Sequence, residues 1–78
     1  MPHVIVKLWP GKSEQQKQAL SDVIAQGVMD HLGYGEGAIS IGFDEVAADD
    51  WEDRVVKPDI LGKWPSLSKR PGYVDPPA

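Results

Sequence analysis

With 78 residues the chain is about half the length of a typical domain, too short for two ordinary ones. Its 8 basic and 12 acidic side chains give a net charge of −4, which argues against a nucleic-acid-binding face and against attraction to anionic membranes. No cysteine is present, so disulfides, thiolate metal sites and a cysteine nucleophile are excluded. A lone chain of this size buries only about 60–65% of its unfolded surface, so association of copies is the expected route to a sufficient core. No apolar run reaches the length of a membrane span. The N-terminus lacks the basic start and long apolar run of a secretion signal, and a cytoplasmic location is expected.

Residues 3–9 predict a strand: the run is β-branched and aromatic, with Val4, Val6 and Leu8 on one face. Pro10-Gly11 ends it. Ser13-Glu14-Gln15-Gln16 then has the form of a capping box, with Ser13 as cap and Gln16 three residues on. Leu20, Val23, Ile24, Gly27, Val28 and Leu32 follow at helical spacing, and Gly33 is placed to close the helix. Residues 38–44 alternate large apolar Ile39, Ile41 and Phe43 with small Ala38, Ser40 and Gly42. That pattern predicts a second strand with one roomy face.

Strand, helix and strand make one β-α-β unit of the α/β class, so the two strands should run parallel. Asp49 to Glu52 predicts an acidic cap and a short helix to about residue 57, stopped by Pro58. Pro58, Pro65, Pro71, Pro76 and Pro77 crowd the last segment. The expected organisation is therefore a core with a short helix over 1–57 and a proline-rich extension over 58–78. Two strands and a helix cannot cover their own apolar faces, which again calls for a partner copy.

The common phosphate-binding, zinc-protease and calcium-loop patterns are absent, and His3 and His31 lie on different elements. His31 suits the negative end of its helix. One residue stands out. Pro2 directly follows the initiator Met, and removal of Met1 would leave a secondary amine at the head of a strand. Apolar surroundings or a nearby cation lower the pKa of an amine, which makes such a group a general base on a rigid element.

The run from Pro2 through Lys12-Ser13 to Gln16-Lys17 resembles the opening of the 4-oxalocrotonate tautomerase family. The resemblance extends through Ile39-Ser40-Ile41 and Glu45-Val46 to Trp51, and Lys69-Arg70-Pro71-Gly72-Tyr73 is similar to the end of the longer, dimeric bacterial cytoplasmic members. It implies a single tautomerase-like domain that moves a proton within an enol or keto acid, without metal or organic cofactor. Pro2 matches the catalytic amino-terminal proline, and Lys12 falls where the family has a carboxylate-gripping arginine. Trp51 matches an aromatic pocket wall. Ser40 occupies the position of a second arginine, so a substrate with one carboxylate is expected, and Arg54 or Arg70 are the candidates to replace the missing cation.

The resemblance implies a homo-oligomer: a dimer for the longer members, a hexamer as the alternative. Two other readings stand beside it. One is a haloacrylate-type dehalogenase or hydratase on the same scaffold, with a carboxylate from Asp49, Asp50, Glu52 or Asp53 activating water. The other is a non-catalytic oligomeric binding module in which Pro2 is never unmasked.

Overall fold

The structure is a computed structural model that describes all 78 residues. The chain divides into two compact units, 1–45 and 46–78.

The first unit is the β-α-β motif. Strand β1 (His3–Leu8) pairs in parallel with β2 (Ser40–Glu45), from His3 beside Ser40 to Leu8 beside Glu45. Helix α1 (Glu14–Leu32) connects them. Both ends of α1 form as the sequence predicts. The Gln16 amide donates to Ser13 Oγ at 3.0 Å, and the Ser13 amide donates to Gln16 Oε1 at 2.9 Å. Gly33 takes the left-handed conformation at φ 75° and donates its N–H to the Met29 carbonyl.

The strand ends differ from expectation. Trp9 falls outside β1 because it precedes Pro10, which restricts its backbone and has no N–H to offer a ladder. The second strand starts at Ser40 rather than at 38, because Glu36–Ala38 form a 3₁₀ turn. That turn uses the amides of Ala38 and Ile39 internally, and pairing begins where the Ser40 amide donates to the Pro2 carbonyl at 3.2 Å.

Parallel partners share a face, so Val4, Val6, Leu8, Ile41, Phe43 and Glu45 line one side of the sheet. Helix α1 packs on that side, with Lys17 Nζ reaching Glu45 at 2.6 Å and Glu14 at 2.8 Å. These two hydrogen bonds, Glu14 first and then Glu45, raise the Lys17 pKa above its ordinary value. The predicted apolar stripe of α1 is only half covered. Ile24, Gly27 and Val28 are half-buried, while Leu20, Val23 and Leu32 are exposed, because two strands are too narrow to span it. The opposite face of the sheet carries His3, Ile5, Lys7, Ser40, Gly42 and Asp44, and Ile5 there is 52% exposed.

The second unit holds the buried side chains: Val46 at 1% exposure, Val55 at 5% and Val56 at 3%. Its helix departs from expectation at both ends. Asp49 is not a cap; the chain already turns at Ala48–Asp50, with the Asp50 amide bonded to the Ala47 carbonyl. The acidic side chains therefore sit inside the first turns, where they complement the positive end of the helix. Nor does Pro58 stop the helix. Residues Glu52–Leu61 wind as a π-helix through Pro58, closed by the Gly62 amide on the Lys57 carbonyl, five residues back. The wider winding accommodates a ring that an α-helical turn would drive into the carbonyl four residues before it. A further turn, Trp64–Ser66, follows.

Gly62 is fixed by close approach rather than by its backbone angles. A Cβ there would lie 2.5 Å from the Pro58 carbonyl oxygen and 3.2 Å from that of Lys57. Gly62→Ala is expected to destabilise the chain by about 1–3 kcal/mol, the usual scale for forced overpacking. Urea denaturation followed by Trp fluorescence measures it.

Candidate active site

Pro2 is half-buried at the head of β1, and its carbonyl accepts from the Ser40 amide. Met1 before it is 91% exposed, so the Met1–Pro2 bond is accessible. Ser40 is thus brought beside Pro2, and its hydroxyl meets His3 Nδ1 at 2.6 Å across the first rung of the sheet.

Lys12 lies beyond the other end of β1, in the turn that leads to α1. It borders a cavity of about 280 Å³ whose apolar lining is Leu8, Leu20 and Phe43, with Gln16 and Lys17 beside them. Lys17 is already neutralised by its two carboxylates, so Lys12 is the cation left to meet an anion there. Six strand residues at about 3.3 Å each separate the Pro2 end of β1 from the Lys12 end by about 20 Å. One chain therefore does not bring Pro2 and Lys12 together.

Trp51 belongs to the second unit, where it is half-buried and its indole N–H donates to the Tyr73 hydroxyl at 2.8 Å. Arg70, a candidate for the missing cation, donates from Nε and Nη2 to the Trp64 carbonyl and stacks over the Trp64 ring at 5.2 Å. That guanidinium is engaged within its own unit. In the acidic cluster, the Lys57 ammonium bonds Asp53 at 2.8 Å and holds the Asp53 carboxyl below its usual range. No helix is long and apolar enough to cross a membrane.

His3 and Tyr73 were not singled out from the sequence. His3 becomes notable only once the register sets it opposite Ser40, and Tyr73 only once it is seen bonded to Trp51.

The family model described as "Tautomerase enzyme" matches residues 2–56, so the match begins at Pro2 and passes through Lys12, Ser40 and Trp51. The chain belongs to the tautomerase family. Its curated relatives include a probable tautomerase of Xylella fastidiosa (strain 9a5c), 44% identical over 73 residues that cover 94% of this chain and 89% of that one. Another is tautomerase PptA of Pectobacterium carotovorum subsp. carotovorum, 35% identical over 74 residues covering 94% and 97%. Among solved structures, YwhB, a homologue of 4-oxalocrotonate tautomerase, superposes with a TM-score of 0.60 at 29% identity. That superposition spans 62% of this chain and 79% of YwhB. The resemblance drawn from the opening residues is thereby established, the parallel β-α-β unit is the tautomerase fold, and the activity is of the tautomerase type.

Proposed function

We propose that this tautomerase interconverts the enol and keto forms of a 2-hydroxydienoate or enolpyruvate-type acid bearing one carboxylate, with the amine of Pro2 as base and then acid. The observation that carries the reading is the place of Pro2: the head of β1, at the first residue of the family match. With Met1 removed, the amine would take the proton from the enol oxygen and return it to carbon, so no metal or organic cofactor is needed. Lys12 holds the carboxylate as a point charge, without the two-pronged grip of an arginine. For Trp51 the proposed role is that of the aromatic wall the family resemblance implies.

The separation of Pro2 from Lys12 along β1 supports a site shared between copies. Ile5, Leu20, Val23 and Leu32, exposed in the single chain, supply apolar surface for association. We favour a cytoplasmic homodimer, with a hexamer as the other assembly the family offers.

Ketonisation of an aryl enolpyruvate and of a dicarboxylic hydroxydienoate, followed by ultraviolet absorbance, tests the substrate class. The expected result is a kcat/KM at least about tenfold higher for the monocarboxylate, since Ser40 gives a second carboxylate no cation and kcat/KM reports differential transition-state binding. A preference for the dicarboxylate would point to a different cation, with Arg54 the remaining candidate.

A further inference from the structure

We propose that Ser40 donates a hydrogen bond to the substrate oxygen as it loses its proton, and that His3 positions and polarises the Ser40 hydroxyl for that task. The inference rests on the tautomerase reading of Pro2 and deepens it by naming the group that steadies charge at the oxygen. Three observations on one face of the sheet carry it. His3 Nδ1 lies 2.6 Å from Ser40 Oγ on the first rung, and the Ser40 amide holds the Pro2 carbonyl. Both side chains are exposed, so a ligand can reach them. The next rung pairs Ile5 with Gly42, where a Cβ would meet nothing within 4 Å, so the surface beside Ile5 is open to the body of a small acid.

A serine hydroxyl has one proton to donate and two lone pairs to accept with. When the imidazole carries its proton on Nδ1, that N–H donates to Ser40 Oγ, occupies a lone pair and leaves the hydroxyl proton to point at a ligand. As the Pro2 amine takes the enol proton, negative charge spreads onto the oxygen, and the Ser40 O–H is aimed at it. No bond to Ser40 or His3 forms or breaks. A preorganised donor of this kind acts on the transition state more than on the ground state.

The test uses the Met1-free enzyme with an aryl enolpyruvate. Ser40→Ala is expected to lower kcat about tenfold or more while KM changes less than about twofold, the split that marks a transition-state interaction. His3→Phe should lower kcat to the same extent but have no further effect in the Ser40→Ala background. His3→Asn should recover most of the loss, because its side-chain N–H occupies the place of Nδ1–H. Thermal melts identify any variant that loses its fold, and the conservative His3→Asn then carries the comparison.

A wild-type enzyme that depends on Pro2 but is unaffected by Ser40→Ala overturns this inference alone. So does a His3→Phe loss that persists without Ser40, or a failure of His3→Asn to recover activity. A wild-type enzyme with no ketonisation at all overturns the tautomerase reading and this inference with it.

Discussion

Lys12→Ala is expected to lower kcat/KM for a monocarboxylic enol acid by about 10- to 100-fold, the usual loss when a charge-assisted hydrogen bond to a carboxylate is removed. The physical reason is local. Lys17, the neighbouring ammonium, is tied to Glu14 and Glu45 at 2.8 and 2.6 Å and is not free to replace Lys12. If Lys12 only holds the substrate, KM rises and kcat stays; if it also steadies charge formed during reaction, kcat falls too. Steady-state kinetics on the purified variant decide between these.

The same variant tests whether the site is shared. Chains inactive at Pro2 and chains lacking Lys12 are each expected to be poor enzymes, yet a re-equilibrated mixture should recover activity. In a symmetric dimer, random pairing makes about half the assemblies mixed, each with one intact site of two, or about a quarter of wild-type activity. Recovery of none would mean that the strand-length separation of Pro2 and Lys12 is bridged within one chain. The exposed apolar residues of β1 and α1 add a check on association, because a dimer's melting temperature rises with protein concentration.

Local chemistry made the first unit legible in the sequence. The capping box at Ser13 and the left-handed Gly33 bound α1 where short-range rules put them, and alternation at Ile39, Ile41 and Phe43 marked the second strand. What failed there was register at the margins: whether Ser40 or Ala38 opens the strand depends on a 3₁₀ turn whose amides compete for the same bonds. The second unit was less legible. A proline in a helical pattern reads as a stop, and only the wider winding through Pro58 overrides that rule.

The candidate site divides the same way. Pro2 draws attention by itself as a proline that removal of Met1 would leave as an amine at a strand head, whereas Lys12 and Trp51 enter only as positions matched through the family resemblance. His3 was invisible because its meaning lies in a partner 37 positions away. Pairing across a parallel sheet is a tertiary fact, and no periodicity within either strand announces it.

The proposed role of Pro2 predicts a second large effect, larger than that of Lys12. In the proposed shared site, a Lys12 ammonium from another copy near the Pro2 amine would lower its pKa below that of a free prolyl amine. Activity should therefore rise with pH through a single ionisation at that lower value, since the base works only when neutral. Pro2→Ala keeps a primary amine in nearly the same place and should retain reduced activity on the same rising limb. Acylating the nitrogen is different in kind. With Met1 attached, the nitrogen is an amide and has no basicity, although the strand pairing through the Pro2 carbonyl remains.

The decisive measurement compares two preparations of the chain, one with Met1 retained and one with Met1 removed, each verified by intact mass. Enol ketonisation is followed in both, with circular dichroism to show that the fold is common to them. The Met1-free protein is expected to turn over substrate and the Met1-bearing protein to show no turnover above the uncatalysed rate. Equal ketonisation by the two would contradict the role assigned to Pro2.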